Sequence, residues 1–342
     1  MSREATSVEE RAEVDITPAE WSKPLLRALV ELAILAPSSH NTQPWLFRIG
    51  DDGVEVHADR SRTTPVVDPD NRELIISCGA AVGFLRLALR ASGFEDVVER
   101  TASTGTPDLL AIVRPGAPRT MMAEDAALIE AMTSRRTNRR AFEPRPVPRA
   151  LLALLTESAR REGAWARVVT EQPEKHAIAD LVADGDRRQA DDPAFRRELA
   201  EWIRSNHSRA GDGIPGYSQG IGDLASLAGP WIIRTFDWGN GRAASDRQLA
   251  EGSPALVVLG TDDDTPEAWV RTGEALARML LLATVHGLSA SFLNQPIEIP
   301  ELRRTLALTL GLAGSPQLLL RLGYGPEVPP TPRRDLEDVL LA

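Results

Sequence analysis

Apolar positions along the chain switch between helical spacing and strict alternation, and the switch happens twice. Residues 18–35 repeat apolar side chains at helical spacing until Pro37 ends the pattern. Trp45–Ile49 and Gly53–Ala58 alternate with period two around Asp51-Asp52-Gly53, which predicts a β-hairpin. Ile75–Ala91 reads as a long, mostly apolar helix stopped at Gly93, and Asp108–Arg114 as a strand. In the second half a helix is expected to begin at Leu128–Thr133 and another to cover Pro148–Ala159. Strands are expected over Trp165–Thr170, Pro254–Gly260 and Gln317–Gly323, with a buried helix over Glu274–His286 capped by Gly287.

Gly79 to Gly93 and Gly273 to Gly287 bracket helices of equal length. Each is followed by a similar strand, Thr106-Pro107-Asp108-Leu109-Leu110 and Ser315-Pro316-Gln317-Leu318-Leu319. The shared order of helix and strand predicts an α+β fold of two tandem, diverged units, each with helices packed around a mixed sheet. The junction falls near residues 117–125, giving a first unit over 1–120 and a second over 121–342. An insertion occupies about 171–250.

Composition narrows the function without naming it. The 342 residues leave room for a large core, and 42% apolar with 26% charged residues fits a soluble globular protein. A net charge of −10 argues against a nucleic-acid partner. One cysteine, Cys78, excludes an internal disulfide framework or a thiolate metal cluster. Histidines 40, 57, 176, 207 and 286 have no ligand spacing, so no metal is expected. The polar, acidic start and the lack of an uninterrupted apolar run of membrane length lead to the expectation of a cytoplasmic protein without a membrane partner.

Three segments carry candidate chemistry. Ala36-Pro-Ser-Ser-His-Asn-Thr-Gln-Pro-Trp45 is a stiff loop rich in hydroxyls and amides, able to hydrogen-bond a flat, heteroatom-rich ligand without adding charge. Ser134-Arg-Arg-Thr-Asn-Arg-Arg-Ala-Phe142 holds four arginines in six residues. It reads either as a solvated charged face or as a phosphate site, since guanidinium forks plus the Thr137 hydroxyl suit phosphate oxygens. Arg333 and Arg334 follow a proline-stiffened turn and are either an exposed tail or part of the same site.

Together these segments resemble the flavin-dependent nitroreductase superfamily. Its FMN loop reads Pro-Ser-Ser-x-Asn-x-Gln-Pro-Trp, matched at Pro37, Ser38, Ser39, Asn41, Gln43, Pro44 and Trp45. Its Arg-Arg-Ser-x-Arg phosphate motif is matched at Arg135, Arg136 and Arg139, with Thr137 in place of serine and Phe142 one position late. The resemblance implies that Arg333 and Arg334 return to the flavin phosphate, and that Asn294 or Gln295, after Gly287-Leu-Ser-Ala-Ser-Phe-Leu293, offers an N–H near flavin N5. The superfamily builds each site from two subunits, one supplying arginines and the other the loop. Here the first unit has only the loop and the second only the arginines, which looks like the Acg-like branch: a fused pseudodimer with one FMN site per chain.

What the resemblance implies is an NAD(P)H-linked reductase of nitro- or quinone-type acceptors that needs no catalytic side chain, working as a monomeric pseudodimer or a weak homo-oligomer. A protein that sequesters FMN with little turnover is the alternative. Residues 205–245, with Tyr217, Trp231, Phe236 and Trp238, are expected to form a loop-rich lid. Two motifs there are decoys. Gly216-Tyr-Ser-Gln-Gly220 matches a hydrolase elbow, with a remote triad Ser218, Asp262 and His286, and Gly220-Ile-Gly-Asp-Leu-Ala225 matches a dinucleotide fingerprint. Neither follows an apolar strand.

Overall fold

Prolines and caps set where the helices start, and apolar spacing sets the face they bury. The computed structural model describes residues 22–102, 108–219, 221–235 and 239–341. α1 (Lys23–Ala33) carries Pro24 in its first turn, where no amide bond is lost, and buries Leu26, Leu29, Val30 and Ala33 on one stripe. β1 (Trp45–Ile49) and β2 (Val54–Ala58) form the expected hairpin, closed by the Gly50 amide donating to the Gly53 carbonyl at 2.9 Å. α2 (Arg72–Ala91) is buried on almost every side. β3 (Phe94–Arg100) and β4 (Leu109–Pro118) complete an antiparallel sheet in the order β1-β2-β4-β3.

The second half opens with α3 (Ala123–Ser134), α4 (Arg149–Arg161) and β5 (Trp165–Val169). α5 (Gln172–Asp191), α6 (Pro193–Trp202), the two-residue strands β6 (Ile203–Arg204) and β7 (Ile214–Pro215), α7 (Asp223–Thr235) and α8 (Gly239–Gly252) follow. Then come β8 (Ala255–Thr261), α9 (Pro266–Val285) and β9 (Ser289–Phe292). α10 (Gln295–Glu298), α11 (Pro300–Thr309), β10 (Ser315–Gly323) and α12 (Leu336–Val339) complete the order. The second sheet runs β5-β8-β10-β9, again antiparallel.

The two sheets trace one path. In each, the second strand lies between the first and the fourth, the third strand is an edge, and the long helix joins second to third. The first sheet passes from first to second strand through a tight turn, whereas the second sheet inserts α5 to α8 at the same place. β6 and β7 pair in parallel as a separate two-stranded sheet; within the two larger sheets, among the described residues, parallel pairing is confined to isolated bridges, Phe47 with Leu340 beside the first and Thr137 with Ala290 beside the second. The mixed character expected of each sheet is thus limited to an edge contact.

α2 and α9 cross where neither carries a side chain. A Cβ on Gly79 would overlap the Val270 carbonyl, and one on Gly273 would overlap the Ile76 carbonyl. A Cβ on Gly83 would come within 2.7 Å of the Ala277 methyl. Around this crossing one core cluster draws on both halves, including Phe84 and Val56 from the first and Leu281 and Leu320 from the second. Arg86 and Arg100 reach the buried Glu274 at 3.0 and 2.8 Å, which offsets the cost of placing that carboxylate between the helices. A second cluster, with Ile178, Val258 and Leu319, fills the outer face of the second sheet beneath α5 and α11.

Several expectations need correction. The residues expected to begin a helix, Leu128–Thr133, are its last turns, because the Asp125 carboxylate accepts from the Met122 amide at 3.0 Å and starts α3 earlier. α9 starts at Pro266, capped by Thr265, well before Glu274. β3 was hidden by its charged residues: Glu95 and Glu99 face water on an edge strand, while Asp96 and Arg100 turn inward to Arg86 and Glu274. The described residues of 171–250 are dominated by helices, and only 205–219 with 221–222 fit a loop-rich lid. Residues 18–21, Thr106-Pro107, Gly220, Phe236 and Trp238 lie outside the described residues. By length and a mean hydropathy of 1.7, α2 does match a membrane span, although 83% of that window is buried in protein, as a core helix requires.

Gly273→Ala is expected to destabilise the protein by about 1–3 kcal/mol or more through overpacking, lowering Tm in a thermal melt. Gly241→Ala, at a helical position with open space around it, is expected to hold or raise Tm. Equal effects would mean that the crossing is not tight.

Candidate cofactor site

The loop after α1 bends through three residues in the left-handed region, His40, Asn41 and Gln43, with φ of 48°, 55° and 51°. Non-glycine residues hold that conformation only where neighbours over-determine it. The Ser38 hydroxyl accepts from the Gln43 amide at 2.9 Å, the Ser39 amide donates to Ser77 Oγ at 3.1 Å, and Ser39 Oγ donates to Glu73 Oε2 at 2.8 Å. Asn41 Nδ2 donates to the carbonyls of Gly213 and Pro332 at 3.0 and 3.1 Å. Gln43 Nε2 donates to the Gly211 carbonyl at 2.8 Å, while its Oε1 accepts from the Arg334 amide at 2.9 Å. The loop is therefore pinned below to α2 and clamped above to the stem of the insertion and to the carboxyl-terminal tail.

Beneath this loop lies a cavity of about 400 Å³. One half is polar, formed by Pro37, Ser38, Ser39, Thr137, Arg139 and Asn294. The other half is apolar and comes from the insertion: Phe195, Leu199, Ile203, Ile214, Ile221 and Ile233. Ile76 of α2 and Leu276 of α9 line it next to the helix crossing.

The arginine stretch leaves α3 and is held against β9, where the Asn138 amide donates to the Ala290 carbonyl at 2.9 Å. Thr137 and Arg139 of this stretch line the cavity. Arg135 is buried, its Nε has no hydrogen-bond partner, and burial followed by Arg333 and Arg136 holds its pKa down to about 9. Arg333 donates through Nη1 to Thr331 Oγ1 at 2.8 Å and Asn41 Oδ1 at 3.2 Å, but its Nε is also unpartnered. Burial, then Arg136, lowers its pKa to about 10. Among the described residues no carboxylate forms an ion pair with Arg135, Arg136, Arg139 or Arg333. Guanidiniums gathered out of water without a counter-charge are costly, and a bound anion relieves that cost. The donor set fits a phosphate.

The remaining expected residues take other positions. Arg334 pairs with Asp59 at 3.4 Å and donates to the Gln43 carbonyl at 3.0 Å, so it is neutralised and braces the loop. Asn41 and Gln43 likewise spend their side chains on the loop's anchors. Asn294 donates to Glu73 Oε1 at 3.2 Å and accepts from the Leu319 amide at 3.0 Å, locking the end of β9 to α2 and β10. Gln295 donates to Asp186 and Asp246 at 3.1 and 3.0 Å, and its Oε1 is unpartnered at the cavity wall. Ser218 donates to the Pro215 carbonyl at 2.7 Å within a 3-10 turn, while His286 borders a different cleft beside Glu124 and Leu154. The elbow reading fails because that turn follows only two residues of strand.

Pattern reading missed His40, Glu73, Arg242 and Glu298, all in the cavity wall. Desolvation, then the charges of Arg242 and Arg139, holds His40 down to about 4, so it is neutral at pH 7. Desolvation, then the charge of Glu73, pushes Glu298 up to about 8. The only signal for Glu73 was its place in the first turn of an apolar helix. His40 occupied the variable position of the loop motif.

Comparison with known proteins places this arrangement. The nitroreductase family model matches residues 132–324. A Mycobacterium tuberculosis protein named "Putative NAD(P)H nitroreductase Rv3131" is 35% identical over 323 residues, covering 92% of this chain and 90% of its own. The chain belongs to the nitroreductase family. "Putative NAD(P)H nitroreductase acg" from the same organism is 30% identical, covering 92% of this chain and 95% of its own. Among solved structures, the FMN and NADPH-dependent nitroreductase NfnB from sphigopyxis sp. strain HMH is 26% identical with a TM-score of 0.41, covering 62% of this chain and 96% of that one.

The raised Glu298 gives a pH test. Its folded-state pKa lies above the ordinary 4.5, so the protonated acid stabilises the fold at low pH, and this contribution is lost as pH rises from about 4.5 through 8. Glu298→Gln is expected to flatten part of the fall in Tm across that window. An unchanged slope would contradict a protonated carboxyl in the wall.

Proposed function

We propose that the chain is an FMN-dependent, NAD(P)H-linked oxidoreductase of nitro- or quinone-type acceptors, with one flavin site per chain. The observation that carries this reading is the uncompensated pair Arg135 and Arg333, of which Arg333 reaches Asn41 of the loop that roofs a half-polar, half-apolar cavity. The site lies between two nitroreductase-like units, residues 1–120 and 121–342, that form an intrachain pseudodimer. Support for the pseudodimer comes from the matching strand order and from the reciprocal contacts of Gly79 with Val270 and Gly273 with Ile76. Equivalent positions exchange roles across the crossing, as a two-fold axis requires.

In this reading Arg135 and Arg333 hold the phosphate, and Ser38, Ser39, Thr137 and Arg139 line the route from phosphate to ring. When bound, the flavin supplies two-electron redox chemistry between a nicotinamide donor and the acceptor. The protein's part is to bind, orient and exclude water. Ile203, Ile214 and Ile233 dry one wall, and neutral His40 leaves Arg242 and Arg139 as the nearby cations. The insertion acts as a lid, and its stem at Gly211–Gly213 is held by Asn41 and Gln43. That clamp favours a second reading, in which FMN is sequestered with little turnover.

Purified protein is expected to be yellow and to bleach when NADH or NADPH is added without oxygen. A yellow protein that resists bleaching supports sequestration, and a protein that takes up no FMN contradicts both readings. Arg135→Ala is expected to weaken FMN retention by about 10–100-fold, the loss of a charged hydrogen-bonding group. Arg160→Ala, on the surface of α4, leaves retention unchanged; equal losses would refute the phosphate assignment.

A further inference from the structure

The apolar half of the cavity is a wall built and braced by the insertion. Phe195, Leu199, Ile203 and Ile214 form one buried cluster with Val67, and Ile233 packs against it. This cluster is separate from the core at the helix crossing. Polar bonds hold its members in place. The Glu198 carboxylate, on α6 beside Leu199, accepts from the Val66 and Val67 amides at 2.8 and 3.0 Å. Ile203 and Ile214 are register partners in β6 and β7, and Asp212 ties that pair to Arg204 at 2.9 Å and to Arg62. Asn206 Nδ2 donates to the Ile221 carbonyl at 3.0 Å and so fixes the next aliphatic position.

The chemistry of this wall selects a ligand. Isoleucine and leucine outnumber phenylalanine eight to two around the cavity, and no tryptophan or tyrosine is among the described residues that line it. Such a surface suits an alkyl chain better than a ring, which gains most from an aromatic face. The cluster has no hydrogen-bonding side chain, so the heteroatom-rich edge of a flavin gains nothing by lying there, and a charged group would be buried without a partner. At the polar side, His40 Nδ1 is buried without a hydrogen-bond partner, a neutral group that suits a carbonyl oxygen rather than an anion.

We propose that the acceptor is an uncharged quinone bearing an aliphatic chain, and that the cluster of Leu199, Ile203, Ile214 and Ile233 holds that chain. The redox step rests on the flavin reading above; the chain-binding wall does not. In that step the quinone gains a hydride equivalent from NAD(P)H and one proton from water, leaving NAD(P)+ and the hydroquinone, so no further reductant is needed. Each methylene placed against the wall leaves water for an apolar surface, which tightens binding by about 3–4-fold.

The test is calorimetric titration of the FMN-loaded full chain with redox-inactive para-alkylphenols carrying methyl, propyl, pentyl and heptyl chains. Affinity is expected to rise by about 3–4-fold per methylene until the wall is filled. Ile203→Phe, which adds volume inside the cluster, is expected to bring that limit to a shorter chain while leaving methylphenol affinity and FMN content unchanged. Ile214→Thr is expected to weaken the heptyl compound several-fold by placing a hydroxyl against the chain. Leu227→Ser, on the exposed face of α7, is expected to change neither series. Affinity that does not rise with chain length overturns the proposal, as does a length dependence that Leu227→Ser removes and Ile203→Phe does not. Alkanoates that bind more tightly than alkylphenols of equal chain length overturn it by marking an anion site. Length-dependent binding seen only without FMN would assign the wall to the flavin itself and overturn it too. If the chain takes up no FMN, the proposed function fails, while the same titration of flavin-free protein still decides the chain-binding wall.

Discussion

The close crossing of α2 and α9 is the constraint on which the remaining structure depends. Backbone meets backbone at Gly79 and Gly273, so the two sheets are held at a fixed separation by contacts that tolerate no added methyl group. Ile76 and Leu276, next to that crossing, form part of the cavity floor. The first two turns of α2 then present Glu73 and Ser77 to a loop from its own half, and Glu73 also to Asn294 from the other. Packing at the centre thus determines which polar groups converge at the edge.

Charge is handled in two ways around this core. Glu274 is buried between the helices but receives two guanidiniums, so it serves the fold. Arg135 and Arg321 are buried and Arg333 is half-buried, each with donor atoms left over and no acidic partner among the described residues, an arrangement that costs stability unless an anion supplies the missing acceptors. The protein therefore stores its binding capacity as unpaired donors, and it keeps His40 neutral beside them. Gln43 and Arg334, by contrast, are satisfied internally and keep the loop in its left-handed bends.

Legibility in the sequence followed the range of the interactions. The hairpin at Trp45–Ala58, both long helices and the last strand are local patterns, and residue spacing located them. The Pro37–Trp45 loop and the Arg135–Arg139 stretch were legible because several residue types recur at fixed spacing. What could not be seen was which side chains would be spent on scaffolding. Asn41 and Arg334 look like ligand contacts in one dimension, yet their partners, Gly213 and Asp59, are distant in the chain. The helices of the insertion were obscured by their charge, for α5 and α8 bury only narrow stripes. Arg321 sits within an apolar strand, where nothing in the sequence tells an outward from an inward position.

The central claim is that the two halves build one flavin site between them. The FMN content of the reconstituted chain, measured by flavin absorbance after release and referred to protein mass in solution, tests it most directly. One FMN per chain, retained by a species of single-chain mass, is the result the account predicts. Two FMN per chain, or one FMN shared between two chains, would contradict it.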